Sequence, residues 1–353
     1  MDTDVLVVGQ GISGTFLSWN LYQRQVDFIV VDNGHPAAPS RVAAGIINPI
    51  TGRRMATTWM AEELLAFAKT AYEEIGHYLG IQAITPRRIL DFFPNAQMRD
   101  TFLVHLQHKD PFFHAFPEQN RFNHLFRYDF GCGEIAPAYT VHLELLLPAW
   151  RMELQRQNRL VSEQVIDGDI RLTTGGVSFG DIRARRVIFC DGSTSQSNPW
   201  FGLLPFSRNK GEALVLDIPD LEADYIYKKG FLLAPLAARN AFWLGASYEW
   251  NFADTGPSEK FRTAATSFLS DWLRLPFRIL DHKAGLRPAT LERRPFAGLH
   301  PVHQQLGILN GMGTKGCSLA PYFARQLTDH LLWQAPILPE ADISRFRKIL
   351  ERG

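Results

Sequence analysis

The sequence predicts an α/β protein in which a parallel sheet, alternating with helices, is interrupted by a second unit built on an antiparallel sheet. Three observations carry this. The chain opens with an apolar strand, a glycine turn and a helix, Val5 to Arg24, and a second strand follows. Strand followed by glycine returns in the middle, at "RRVIFCDG" (Arg185 to Gly192), and near the end, at "LGILNGMGTKG" (Leu306 to Gly316). Between them lie long runs rich in β-branched and aromatic residues, which suit a separate antiparallel sheet. The alternation predicts a first unit from residues 1–80, 138–206 and 289–353, and a substrate unit from 81–137 and 207–288. A chain of 353 residues has room for both.

Taken in order, Val5, Leu6, Val7 and Val8 form the continuous apolar run of a strand covered on both faces. Gly9, Gly11 and Gly14 then match G-x-G-x-x-G, with Ile12 and Ser13 at the head of the following helix. The first glycine permits the tight turn, the second lets a pyrophosphate approach the backbone, and the third lets helix and sheet pack closely. The helix N-terminus would face the phosphates. A second strand, Phe28 to Val31, ends at Asp32, with Asn33 beside it. A carboxylate there accepts hydrogen bonds from ribose hydroxyls and repels a 2′-phosphate, so NADP fits least. The glycine pattern alone also occurs as a plain turn. Strand, helix, second strand and acid in register point to a dinucleotide, with NAD and FAD both open.

"SRVAAGIINPITGRR", Ser40 to Arg54, reads as a loop of small residues. Helical patterns follow at Thr57 to Leu79, Ala96 to His108 and Thr140 to Gln157, with a strand at Ile84 to Phe93; Pro111 to Phe130 takes no assignment. Short strands are expected at Leu160 to Ile166, Ile170 to Thr174 and Val177 to Phe179, broken by Asp167-Gly168-Asp169 and Gly175-Gly176. Lys210 to Ile218, Tyr225 to Ala234 and Ala241 to Ser247 read as longer strands. Ser258 to Leu273 reads as an amphipathic helix, with Ser258 as N-cap and Glu259 in its first turn.

Composition excludes several classes. A net charge of +1, with scattered Arg-Arg pairs such as Arg53-Arg54, gives no electrostatic case for nucleic acid or a membrane surface. Cys132, Cys190 and Cys317 stand far apart, so neither a disulfide framework nor a zinc site is indicated. The histidines between His105 and His124 lack acidic partners at ligand spacing, so no metal is expected. No apolar run approaches the roughly 18–20 residues of a membrane span, and the strand starting near Asp4 leaves no room for a signal peptide. A cytoplasmic protein is expected.

A second glycine turn, "NGMGTKGCSLAP" (Asn310 to Pro321), follows the Leu306 to Leu309 strand and opens a helix. Two helix N-termini in one chain suit a ligand with two electron-rich regions far apart. FAD is such a ligand, with its pyrophosphate on the first helix and the flavin N1–C2=O edge on the last. A plain strand–helix turn accounts for these glycines equally well.

These dispersed motifs resemble the D-amino acid oxidase/glycine oxidase/sarcosine oxidase family of FAD-dependent oxidoreductases. Besides the glycine motif and Asp32, the resemblance rests on "RVAAGIINP" (Arg41 to Pro49), "VIFCDG" (Val187 to Gly192) and "KGEALVL" (Lys210 to Leu216). "GLRPATLERRPFAG" (Gly285 to Gly298) and "GMGTKGCSLAP" (Gly311 to Pro321) complete it. It implies a Rossmann-like, glutathione-reductase-like FAD domain. Arg41, Ala43, Ala44, Gly45, Ile46, Ile47 and Asn48 would run along the cofactor, and Val165 would meet the adenine through its backbone. Asp191 and Gly192 would close the middle strand, and Gly311, Gly313, Thr314, Lys315 and Gly316 would meet the isoalloxazine. Arg287 falls where glycine oxidase-like members hold a substrate carboxylate, a role its planar fork suits. Lys315 and Tyr248 are further pocket candidates.

The chain departs from the family in three places. Thr314 and Lys315 stand where relatives often place an arginine or histidine. Phe231, Leu232 and Leu233 occupy a strand that supplies a tyrosine elsewhere. No cysteine matches a covalent flavin link, so FAD is expected to be noncovalent. The implied activity oxidises the C–N bond of a small amine or amino acid, glycine-like or N-substituted. The amine binds neutral, hydride passes to flavin N5, and the imine hydrolyses; oxygen or another acceptor reoxidises the flavin. Three alternatives are an oxidase acting on a carboxymethylamino group in modified tRNA, a non-catalytic redox flavoprotein, and an NAD dehydrogenase.

Overall fold

The computed structural model describes residues 1–52, 54–236 and 240–352. Arg53, of the Arg53-Arg54 pair and the Ser40 to Arg54 loop, lies outside them, as does Gly353.

The first sheet is built as the buried apolar runs require. Strands Leu160–Val161, Phe28–Val31, Asp2–Val8, Ile182–Phe189 and Leu306–Asn310 lie parallel in that spatial order, and Phe296–Leu299 adds antiparallel beside the last. Val5 and Val7 enter one core and Leu6 and Val8 another, which is why the run shows no alternation. Helices Ile12–Gln23, Ala61–Leu79, Leu143–Arg156 and Gly316–Trp333 contribute to the first of these cores. A ribbon, Arg171–Thr173 with Gly176–Phe179, extends from the start of Ile182–Phe189.

The second sheet runs Arg278–Arg287, Asn209–Asp217, Ala241–Gly245, Phe231–Leu236, Tyr225–Lys229, Ile84–Phe92, Cys132–Val141 and Ile46–Ile47. Its pairs are antiparallel except Tyr225–Lys229 with Ile84–Phe92. Strand alternation sorts its side chains. Ala213, Val215, Ile226, Ala234 and Trp243 join the core shared with the first sheet's helices. Leu214, Leu216, Tyr227, Leu233 and Leu244 face helix Glu259–Trp272. Ser258 caps that helix, its side chain accepting from Phe261 N as expected.

Several sequence-based boundaries move. Tyr225 to Ala234 is a hairpin rather than one strand, because Gly230 turns the chain at φ +82°. The helix expected from Thr140 starts at Leu143, since Thr140 and Val141 finish strand Cys132–Val141. Only Leu160–Val161 is strand in Leu160 to Ile166, so Val165 lies beyond it. The small-residue loop contains Pro39–Val42 as a helical turn and strands Ile46–Ile47 and Ile50–Thr51, the latter paired with Ala56–Thr57. That last pairing delays the Thr57 helix to Ala61. No helix among the described residues is long and apolar enough to cross a membrane.

Candidate active site

The first glycine turn is shaped by its own backbone. A Cβ on Gly14 would overlap the Gly9 carbonyl, so this contact excludes any larger residue. A Cβ on Gly11 would meet only Ser40 Oγ, at 3.3 Å, which leaves that face open to a ligand. Gly11 is the N-cap of helix Ile12–Gln23 and supplies no side-chain bond. Ile12 N donates to Ser40 Oγ at 3.0 Å. Beside Ser40, Arg41 carries a buried Nη2 without a hydrogen-bond partner among the described residues. A helix terminus without a cap from Gly11 itself and a buried guanidinium nitrogen without a described partner together suit an anionic pyrophosphate. At the end of Phe28–Val31, Asp32 accepts from Gln10 N (2.8 Å), Gly34 N (2.7 Å) and Arg151 Nη1 (2.7 Å). Arg151 also donates to Asp32 O and Ser162 Oγ, fixing the acid's orientation. Asn33 is exposed and accepts from His35 N, and Val165 packs half-buried in the turn after Val161.

A second cradle forms where the small-residue loop meets the terminal glycine turn. Gly45 has φ +74°, and a Cβ there would overlap the Val141 carbonyl. The loop therefore presses against strand Cys132–Val141, with Ile46 opposite Thr140 and Ile47 opposite Tyr139. Ala44 and Ile47 are buried, and Ala43 is exposed. Gly311 and Gly313 turn the chain with positive φ, and Gly313 N donates to Pro288 O at 3.1 Å. Helix Gly316–Trp333 then begins without a side-chain cap. Thr314 is exposed. Lys315 reaches from this turn to the loop, donating from Nζ to Asn48 O at 2.8 Å. Burial, with the like charge of Lys228, pushes Lys315 down to about 8. Lys228 is itself paired with the buried Asp91 at 2.6 Å.

Asp191 and Gly192 hold the two cradles together. Ser195 Oγ and Asn310 Nδ2 donate to the Asp191 carboxylate, and Asn310 Nδ2 also reaches Gly192 O at 2.8 Å. This clasp joins the ends of Ile182–Phe189 and Leu306–Asn310. Burial pushes Asp191 up to about 6.

Arg287 ends the outer strand of the second sheet, opposite Asn209. Its Nη1 donates to Asn209 Oδ1 (2.7 Å) and Ser247 O (3.0 Å). The guanidinium lies across Gly211, where any Cβ would overlap it, and under the Tyr248 ring at 4.6 Å. No hydrogen bond to a described residue engages Nη2 or Nε. Because Gly313 bonds the residue after Arg287, Arg287 and the terminal turn are neighbours. Tyr248 is 54% exposed and stacks on Trp250, so it covers Arg287 from the solvent side. Sequence reasoning missed Arg151, Asn209 and the Lys228–Asp91 pair; each meets its partner only through the fold.

This two-cradle arrangement defines an FAD-binding oxidoreductase, and comparison agrees. Residues 4–330 match the model of the FAD dependent oxidoreductase family. The chain belongs to that family, and its cofactor is FAD. Its fold is similar to glycine oxidase from Geobacillus kaustophilus, with TM-score 0.80, 18% identity and 98% of each chain covered. It is also similar to iminodiacetate oxidase from Chelativorans sp. BNC1, with TM-score 0.77 and 18% identity over 97% of this chain and 98% of that one. L-proline dehydrogenase from P. horikoshii matches with TM-score 0.77 and 14% identity over 98% of each.

Proposed function

We propose that the protein oxidises the C–N bond of a small amino acid or N-substituted glycine, with FAD held noncovalently. The observation that carries this reading is Arg287, whose Nη1 is fixed by Asn209 and Ser247 while Nη2 and Nε have no hydrogen bond to a described residue. A planar cation presented in this way suits two-point binding of a carboxylate. Its position beside the terminal turn would set the substrate's α-carbon near the flavin that the turn would hold. Tyr248 covers the clamp, and Lys315 lines the same end of the site. Gly9, Gly11, Ile12, Ser13, Gly14, Asp32, Asn33, Arg41 and Val165 serve the adenosine and pyrophosphate half. Residues 43–48, Asp191, Gly192, Gly311, Gly313, Thr314 and Gly316 serve the flavin half. When bound, FAD takes up the hydride; the chain's own part is to orient the substrate and exclude water. Glycine oxidase, iminodiacetate oxidase and L-proline dehydrogenase, named for substrates that carry both a carboxylate and an amine, support this class. The electron acceptor is oxygen or another oxidant.

The test is anaerobic flavin bleaching by matched amines. Glycine, sarcosine, iminodiacetate and proline form one set; methylamine, dimethylamine and pyrrolidine are their counterparts without carboxylate. Bleaching by at least one member of the first set and none of the second supports the reading. Equal bleaching by both sets, or by neither, contradicts it.

A further inference from the structure

Lys228 and Asp91 form a largely buried ion pair from two strands, and Lys315, from the terminal turn, lies within reach of the Lys228 charge. Tyr225–Lys229 runs parallel to Ile84–Phe92 with Lys228 opposite Asp91, and their side chains pair at 2.6 Å. Asp91 is almost wholly enclosed, and the Lys228 side chain is 17% exposed. Lys315 comes from the terminal glycine turn, two residues beyond the Gly313–Pro288 hydrogen bond that ties the turn to the Arg287 strand. Its hydrogen bond runs to a neutral acceptor, the Asn48 carbonyl, which a lysine can hold protonated or neutral. Asp91 is committed to Lys228, so Lys315 feels the like charge of Lys228, and among the described residues no carboxylate pairs with Lys315.

Other titratable groups on elements packed against the turn do not compete for this role. Tyr72, from helix Ala61–Leu79, donates to Cys317 O at 3.0 Å, and burial raises both Tyr72 and Cys317 so that each stays neutral. Arg287 is a guanidinium and does not give up its proton in the working range. The Arg24–Asp329 pair joins the far ends of helices Ile12–Gln23 and Gly316–Trp333.

Resting on the amine-oxidising reading above, we propose that Lys315 is the proton acceptor for the substrate ammonium, and that the Lys228–Asp91 pair positions a fixed charge that keeps Lys315 able to accept. An amino acid arrives as an ammonium, whose nitrogen has no electron pair to assist loss of the α-hydrogen. In the proposed step one ammonium N–H bond breaks and one N–H bond forms at neutral Lys315 Nζ. The freed pair on the substrate nitrogen then forms the C=N bond as hydride leaves to FAD, the family's own oxidant. Lys315 returns its proton to water. Asp91 cancels Lys228's charge elsewhere in the site and holds its ammonium in place.

Two substitutions separate proton acceptance from simple charge. Lys315→Arg keeps the cation but cannot release a proton. Lys228→Met removes the like charge, so Lys315 must hold its proton to higher pH. Anaerobic flavin reduction is measured from pH 6 to 10 with the fastest-bleaching amine of the panel above. The wild-type rate should rise through a limb near pH 8. Lys228→Met should move that limb up by about half a unit or more. Lys315→Arg should abolish it and slow reduction at pH 7.5 by about tenfold or more, on the scale of general-base contributions. Unchanged profiles in both variants would overturn the proposal while leaving amine oxidation intact; no bleaching by any amine would overturn the underlying reading as well. If Lys315→Arg loses FAD, ε-13C-lysine-labelled wild type and Lys228→Met holoprotein decide the matter by NMR. A lysine titrating near 8 that moves up in Lys228→Met supports the inference; no lysine titrating below about 9.5 overturns it.

Discussion

Replacing Arg287 by lysine preserves the charge and removes the geometry. In the wild type Nη1 is occupied by Asn209 Oδ1 and Ser247 O, so a substrate carboxylate is left the Nη2–Nε edge as a two-point contact. A lysine offers one compact donor group and cannot hold Asn209 and Ser247 while presenting a planar edge. One charge-assisted hydrogen bond is worth about 1.5–3 kcal/mol. Loss of Tyr248 stacking on the guanidinium adds about 0.5–1 kcal/mol. The total of roughly 2–4 kcal/mol corresponds to a fall in kcat/KM of about thirtyfold to a thousandfold. Steady-state assays with the best panel substrate measure this, with flavin absorbance and thermal melting run on the same samples. FAD content should change little, and Tm should fall modestly, because the buried Asn209 side chain loses its guanidinium partner. Full activity in both Arg287→Lys and Arg287→Ala would refute the clamp. Loss of FAD and folding together would instead make Arg287 a structural cation beneath Tyr248.

Further expectations follow from named contacts. Asp32→Ala should weaken FAD retention by about 1–3 kcal/mol, measured by reconstitution titration, since the proposed ribose acceptor is lost and Arg151 is released. Gly45→Ala should cost about 2–4 kcal/mol of stability in urea unfolding, because its Cβ overlaps the Val141 carbonyl at a positive φ. Asp191 is raised from 3.8 to about 6 by burial, so the folded state holds that proton more tightly than the unfolded state does. Its stabilising effect is complete below about pH 4 and is lost as pH rises through 6. Asp191→Asn should therefore gain on the wild type by on the order of 1–3 kcal/mol between pH 4 and 7, and a constant difference would contradict this. Denaturation should release intact FAD into the supernatant; flavin retained on the chain would show a covalent link.

Backbone constraints were legible in the sequence, and side-chain pairings were not. Gly9, Gly14 and Gly45 sit where any larger residue collides with a carbonyl, so their spacing records the cradle directly. Asp32 was readable because it ends a short apolar strand. Its partner Arg151 stands 119 residues away on a helix whose pattern speaks only of packing. Lys228 and Asp91 meet across a parallel pair 137 residues apart, and neither position carries a local signal. Strand Arg278–Arg287 lies at the sheet's edge with mixed exposure, which blurs the alternation that marks a strand. From Tyr139 to Leu147 apolar residues recur on both sides of a strand–helix boundary, with only Thr140, His142 and Glu144 between them and no glycine or proline to mark it, which hid the end of Cys132–Val141.

The most direct test of the site is a crystal of the FAD-loaded protein soaked with methoxyacetate, an N-methylglycine analogue that carries oxygen in place of the amine. Its carboxylate should lie on Nη2 and Nε of Arg287, beneath Tyr248, with its α-carbon stacked against the flavin ring near Lys315. A carboxylate bound away from Arg287, with the Arg287 side chain still held across Gly211, would contradict it.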